Sequence, residues 1–314
     1  MQDQFFYGHG KLLLSGEYFV LDGAEALALP TTVGQTLKVK YRQSYKPILN
    51  WKSFDHSGNL WFEGNFEFWH FKPIRPTESA TEKFVANVLK AARLQNPHFL
   101  RDDMDVFVET KIEFPLEWGL GSSSSLIYNV AQWAYVGPFE LLKNTIGGSG
   151  YDIACAQAMG PIKYVKFEGK PQWEAASFNP SFKDQIYFIY LGQKQNSQKE
   201  VEKYQSLKIE NKSELIPEIS QLTREMINAN ELRTFNKVMK EHEEIISTAL
   251  GYRKVKDLHF SDFWGEVKSL GAWGGDFAMA TSDLCVKETR EYFEKKGFTT
   301  VIPFRELIHS NGVS

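Results

Sequence analysis

The chain has 314 residues, of which 42% are hydrophobic and 24% charged, with a formal net charge of −3. That balance excludes a disordered chain and offers no overall basic character for nucleic acid, and the length favours two domains over one. The two cysteines, Cys155 and Cys285, are too few for a disulfide framework and suit a reducing compartment.

The N-terminus lacks a basic start followed by a long apolar core, so no secretory signal is read there. No apolar run approaches the ~18 residues that a membrane span needs. The expectation is a cytoplasmic protein with neither a membrane nor a nucleic-acid partner.

In chain order, "GKLLLSGEYFVLDG" gives two short apolar runs split by Ser15-Gly16-Glu17 and predicts a hairpin. "TLKVKYRQ" alternates and predicts a strand. Residues 46–76 are rich in Trp, Phe, Gly and Pro, which predicts strands and irregular loops. "ATEKFVANVLKAARLQ" carries apolar residues at helical spacing with Thr77 ahead of it as a cap. "MDVFVETKI" predicts a strand. "SLIYNVAQWAYV" predicts a helix, and Pro138 permits a new helix start at "PFELLKNTI". "GGSGYDIACAQAMG" is a glycine-rich entry into a short helix. "IKYVKFEG" predicts a strand closing a first domain, and "QIYFIYLG" a strand opening a second. From Ser213 to about Leu250 the pattern is helical and charged on one side. "GAWGGDFAMAT" is a glycine loop running into an apolar strand, "KETREYFEKK" a helix stopped by Gly297, and "FTTVIPF" a last strand. The mixed order of strands and helices predicts an α+β fold, with domains over 1–180 and 181–314.

Four stretches carry chemistry. "PLEWGLGSSSS" has glycines that let a ligand approach the backbone and serines that can start a helix, whose unpaired N–H groups attract phosphate. Taken alone it is equally a flexible linker, and it is not a Walker A loop, since no Gly-Lys-Ser/Thr follows. In "GGSGYDIA" the aspartate is either a cap or a carboxylate placed to orient a substrate hydroxyl during phosphoryl transfer. "GAWGGDFAMA" is compatible with a bulge. Lys11, at the head of an apolar strand, is either a surface lysine or a charge partner for that aspartate.

Together and in this order the four stretches resemble the GHMP kinases, named for galactose, homoserine, mevalonate and phosphomevalonate. "GKLLLSGEYFVLDGAEALALP" resembles the family's first motif, "PLEWGLGSSSS" its phosphate loop and "GSGYDIA" the segment of its catalytic aspartate. "VKSLGAWGGDFAMA" resembles the third motif, and the set spans residues 8–280. Gly-Glu-Tyr, Gly-Ser-Gly-aromatic-Asp and Gly-Gly-Asp are similar to the phosphomevalonate branch, as are Lys194 and Ser197 in "LGQKQNSQKEV".

The resemblance implies a two-domain GHMP-kinase-like α+β fold with the active site in the interdomain cleft. It also implies ATP and Mg2+ as cofactors and a small anionic molecule as substrate, mevalonate or phosphomevalonate first. It leaves a homodimer open. By position it makes Asp152 and Lys11 catalytic and places Gly119, Leu120, Gly121, Ser122, Ser123 and Ser124 around the ATP phosphates. Ser123 and Glu140 become magnesium ligands, and Glu17, Tyr18, Gly271, Ala272 and Gly274 fall on the substrate side. His9, Lys163, Lys166 and Lys194 are candidates for meeting the substrate's charge, and the aromatics from Trp51 to Trp69 for stacking on adenine.

Three features depart from the family pattern. Ser123 and Asp152 are closer in sequence than usual, Leu270 replaces a serine, and Trp273 replaces a glycine of the third motif. They motivate an alternative on the same fold, a non-catalytic or altered-substrate binding protein; a relative of the diphosphomevalonate decarboxylases, which share the fold and the aspartate, is a second alternative.

Overall fold

Strand β1 (Gln4–Leu13) is followed by β2 (Ala26–Gln43), and the chain groups into two compact units whose boundaries cut both strands. The structure, a computed structural model, describes residues 3–75, 78–193, 197–271, 273 and 276–310. One unit takes the chain up to Gly10, Val33–Leu116 and Leu120–Gln157; the other takes Lys11–Thr32, Glu117–Gly119 and the chain from Ala158.

In the first unit, β3 (Ile48–Phe54) pairs antiparallel with β4 (Leu60–Glu67) and parallel with β5 (Met104–Ile112). β5 in turn runs antiparallel to β2, with Gln35 opposite Ile112 and Gln43 opposite Met104. Period-2 patterning sends Leu37 and Val39, Leu49 and Trp51, and Val106 and Val108 to one face. Helix α1 (Ala80–Gln95) covers that face with Val85, Val88, Leu89 and Ala92, which recur at helical spacing. Its cap is Ser79, whose hydroxyl accepts the Glu82 N–H at 3.3 Å; Thr77, the predicted cap, lies outside the described residues. Helices α2 (Ser122–Ala134), α3 (Pro138–Lys143) and α4 (Tyr151–Gln157) complete the layer, with Pro138 starting α3 as predicted.

In the second unit, the start of β2 pairs antiparallel with β6 (Ile162–Phe167), and β6 with β7 (Lys170–Ala175). The chain continues through β8 (Ile186–Tyr190), α5 (Ser197–Ser206), α6 (Lys212–Asn228), α7 (Leu232–Leu250) and α8 (Val255–His259). It ends with β9 (Val267–Ser269), β10 (Phe277–Thr281), α9 (Val286–Lys295), β11 (Val301–Pro303) and α10 (Phe304–Leu307). An antiparallel sheet in the order β11-β8-β10-β9 buries Tyr187, Ile189, Ala278 and Ala280 against Phe260 of the α8 end and Phe293 of α9.

The predicted hairpin at the first motif is corrected. β1 stops at Leu13, and the second apolar run is a single 3-10 turn, Phe19–Asp22, rather than a strand. Gly16, Tyr18 and Gly23 have φ of 81°, 61° and 98°, which no strand accommodates. This turn is pinned to α6. Ser15 Oγ meets Thr223 Oγ1 at 2.9 Å, the Glu25 N–H donates to Ser220 Oγ at 3.0 Å, and Arg224 grips the Glu25 carboxylate at 2.9 and 2.8 Å. Those bonds explain why Lys11–Thr32 groups with the C-terminal elements although it precedes residue 180.

Arg93 on α1 closes the loops of the first unit. Its guanidinium donates to the carbonyls of Phe99, Phe68, Trp69 and Leu100 at 3.0, 3.2, 2.6 and 2.6 Å and lies 4.0 Å over the Phe71 ring. Arg93→Ala should lower stability by about 3 kcal/mol, read as an earlier denaturation midpoint. Arg93→Lys should recover little of it, because an ammonium cannot reach four carbonyls in a plane.

Candidate active site

The serine run is a helix start and not a linker. Gly121 stands at the N-cap of α2 with φ of 87°, and no side chain caps the helix. The first turn of α2 contains no acid of its own, so no side chain of the helix itself offsets the positive end of its dipole. The four serines divide their tasks by helix face. Ser122 is half-buried and Ser123 exposed, while Ser124 and Ser125 are buried. Ser125 Oγ donates to Gln35 Oε1 at 2.8 Å, and Asn129 Nδ2 donates to the Gln35 carbonyl at 2.8 Å, which ties the helix start to β2.

Ser124 reaches Asp152, donating its hydroxyl to Oδ2. The other carboxylate oxygen accepts the Ile153 N–H at 3.0 Å. Asp152 therefore sits in the first turn of α4 with both oxygens oriented and its side chain half-exposed. Gly148 and Gly150, with φ of 111° and 96°, make the sharp entry that delivers it there. A phosphate-loop serine and the predicted catalytic aspartate are thus brought together within one unit, a link between two motifs that their separate readings did not include.

Lys11, Gly119, Leu270, Gly271 and Asp276 line one narrow cavity of the second unit, with Trp118 and Phe277 as its aromatic wall. Gly119 is fixed by contact as well as by its φ of 65°: a Cβ there would stand 2.3 Å from the Asp276 carboxylate. Trp118 meets Phe277 edge-on at 5.7 Å. Ala272 and Gly274, predicted on the substrate side, and Lys194 lie outside the described residues.

Glu17 is corrected as a substrate-binding residue. It is fully buried, with its Oε1 accepting from Lys268 Nζ, so its carboxylate faces protein and not a ligand. Its neighbours are His242 and Glu243 of α7 and Lys268 of β9, all buried. Sequence reading passed over these three. The available signal was α7's stripe: His242 and Glu243 occupy its apolar face among Val238, Met239 and Ile246. Tyr18 is also largely buried. Its phenol accepts the Trp273 N–H at 3.3 Å, its ring stacks on Tyr204 at 5.3 Å, and burial pushes its hydroxyl well above the ordinary tyrosine range.

The bulky third-motif residues are absorbed by the core. Leu270 is 2% exposed and Trp273 6%, the latter packed with Tyr18, Tyr204, Ile246 and Leu250. Other expectations fare differently. Trp51 is core, its indole N–H donating to Ser53 at 3.1 Å, whereas Trp61 and Trp69 are partly exposed. Lys163 is paired with Glu174 at 2.8 Å. A cavity of about 290 Å³ opens at the far end of α2 from Gly121, walled by Tyr41, Phe99 and Trp133, and of the aromatics between Trp51 and Trp69 Phe68 lines it.

The residues present fit a phosphate chain: an uncapped helix N-terminus of sufficient length, left-handed glycines and exposed hydroxyls. The fit to magnesium is looser. Glu140 is exposed on α3 and accepts from Asn144 Nδ2 at 3.0 Å. Among the described residues no three His, Cys, Asp or Glu side chains converge on a metal position. Magnesium commonly takes one or two protein oxygens and completes its shell from phosphates and water, which Asp152 and a serine hydroxyl can satisfy. No described helix is long and apolar enough to cross a membrane.

Solved structures share this architecture. The chain is 17% identical to the Methanococcus jannaschii mevalonate kinase, covering 99% of both chains at a TM-score of 0.70. It is 15% identical to the Streptococcus pneumoniae phosphomevalonate kinase in complex with phosphomevalonate and AMPPNP, covering 96% of this chain and 99% of that one at 0.67. It is 13% identical to the Lactococcus lactis galactokinase complexed with galactose, covering 94% and 88% at 0.64. No protein-family model matches the sequence, and no curated protein matches it. The fold is that of the GHMP kinases.

Gly119→Ala should destabilise the protein by about 1–3 kcal/mol, from the left-handed backbone and the clash together. Adding Asp276→Ala should remove the steric part, so a double-mutant cycle of unfolding free energies should show coupling of about 1 kcal/mol.

Proposed function

We propose that the chain is an ATP-dependent small-molecule kinase that transfers the γ-phosphoryl group to a hydroxyl or phosphate of a small anionic acceptor. The supporting observation is Asp152 itself: a half-exposed carboxylate, oriented through both oxygens, hydrogen-bonded to a serine in the first turn of the uncapped helix α2. In this reading the N–H groups of α2 and the hydroxyls of Ser122 and Ser123 bind the ATP phosphates. Asp152 accepts the acceptor's proton as its oxygen bonds to the γ-phosphorus, and ADP leaves with the bridging oxygen. Lys11 is assigned to offset the negative charge that develops in the transfer. Magnesium, when bound, neutralises charge on the phosphates; Ser123 and Asp152 are its nearest candidates for protein oxygens, with Glu140 a weaker one. Positioning and charge neutralisation supply most of the rate in such transfers.

Among acceptors, mevalonate and phosphomevalonate come first. Tyr18 and Asp276 stand where the phosphomevalonate branch carries its Gly-Glu-Tyr and Gly-Gly-Asp signatures, and a phosphomevalonate kinase is among the structures that share the fold. Cytoplasmic location and a homodimeric state belong to the same proposal.

The test is ADP release in a coupled assay with mevalonate, phosphomevalonate and galactose. Turnover with one of them supports the proposal. Nucleotide binding without turnover on any acceptor overturns it in favour of a binding protein, and carbon dioxide release from diphosphomevalonate would place the chain with the decarboxylases. Asp152→Asn should lower kcat about 10²–10⁴-fold while ATP affinity, read by calorimetry, stays within a few-fold.

A further inference from the structure

Within the second unit, four ionisable side chains meet away from solvent. Glu17 lies on the turn after β1, His242 and Glu243 on α7, and Lys268 on β9, with exposures of 0%, 0%, 2% and 0%. Lys268 Nζ donates to Glu17 Oε1 and, at 2.9 Å, to the Ser269 carbonyl; Glu243 Oε2 is 4.0 Å away. Glu243 Oε1 accepts both the Ser269 N–H and its hydroxyl, at 3.0 and 2.9 Å.

The charge state follows from the donors. His242 Nε2 accepts the Gly16 N–H at 3.0 Å, so that nitrogen bears a lone pair and the ring is neutral. Tyr18, the remaining titratable neighbour of Glu17, is a neutral phenol that itself faces Glu200 and Tyr252. Among the described residues Lys268 is then the one cation facing the two carboxylates. With both ionised, the group would carry an uncompensated negative charge in a dry interior, an expensive arrangement. Each carboxylate has one oxygen without a hydrogen-bond partner, Glu17 Oε2 and Glu243 Oε2, but Glu17 holds the ammonium directly through Oε1 while Glu243 stands 4.0 Å from it. One proton on Glu243 removes the excess charge and leaves Oε1 free to accept from Ser269.

We propose that Glu243 carries a buried proton at neutral pH and acts as a positioning residue, holding the Gly16-Glu17-Tyr18 turn and strand β9 in one arrangement through Lys268 and Ser269. Burial pushes the Glu243 carboxyl up to about 7 and raises that of Glu17 as well, while burial and the nearby ammonium hold His242 well below its ordinary value. Loss of the proton sets two carboxylates in competition for one ammonium, which loosens β9 from the first motif. The effect on turnover rests on the kinase reading; the proton does not.

The experiment compares wild type with Glu243→Gln by urea unfolding between pH 5 and 8.5. A folded-state carboxyl raised above its unfolded value stabilises most at low pH, and that contribution is lost as pH rises through the folded value. The wild-type unfolding constant, relative to that of Glu243→Gln, should therefore rise by up to about tenfold per pH unit from pH 5 to about 7 and level off above. Parallel pH profiles for the two proteins overturn the proposal. Should the variant fail to fold, the side-chain carboxyl ¹³C resonances of the wild type decide: one glutamate titrating near neutrality supports it, and none overturns it. With an acceptor that turns over, Glu243→Ala should lower kcat about tenfold with ATP KM unchanged, and Glu243→Gln should restore it at pH 6.5. Failure of that rescue overturns the positioning role, whereas absence of turnover in wild type counts against the kinase reading and leaves the unfolding comparison to decide the proton.

Discussion

A lysine ammonium with no solvent exposure constrains everything around it. Lys268 can be buried only because Glu17 and the Ser269 carbonyl accept hydrogen bonds from it, and each of those partners is delivered by a different piece of chain. The first motif must turn sharply after β1 to bring in Glu17, α7 must spend two positions of its apolar face on His242 and Glu243, and β9 must end where Ser269 can bond α7. Breaking the Glu17–Lys268 contact would leave a buried charge unpaired, which costs more than the pair contributes when intact. The cluster therefore specifies an arrangement more than it adds net stability.

The other unit solves a different problem with little charge. Its helix α2 begins on a left-handed glycine without a side-chain cap, where most helices use a side-chain oxygen to accept a first-turn N–H. The start is instead held from behind, by Ser125 and Asn129 on Gln35, and from the side by Ser124 on Asp152. Anchoring the buried faces keeps Ser122 and Ser123 available. In the proposed kinase reading, a carboxylate and a helix N-terminus fixed to each other in this way form a preorganised site for a phosphate.

Much of this was legible in the sequence, where local chemistry and tertiary demand agree. Helix α1 and strand β5 occupy the residues their periodicity predicts, and Pro138 starts α3. The glycine and serine loops could be ordered into one pattern because each needs a backbone shape that few residues permit. The misreadings have physical causes too. "EYFVLD" looks like a strand, but Tyr18 adopts a positive φ that its residue type does not announce and that the bond to Trp273 and the stack on Tyr204 hold in place. Glu17 reads as a reactive acid because acids are seldom buried; its partner lies 251 residues away, at Lys268. His242 and Glu243 were visible only as exceptions on an apolar stripe.

Trp273 gives the third motif a property that a glycine would not. Its indole is driven into the cluster of Tyr18, Ile246 and Leu250, and the Trp273 backbone N–H donates to the Tyr18 phenol. A glycine there would leave the backbone to be ordered by whatever ligand arrives, at a cost in conformational entropy drawn from the binding energy. A tryptophan rooted in the interior moves that cost to the folding step, so its large side chain serves as ballast for the loop and not as an obstacle in front of it.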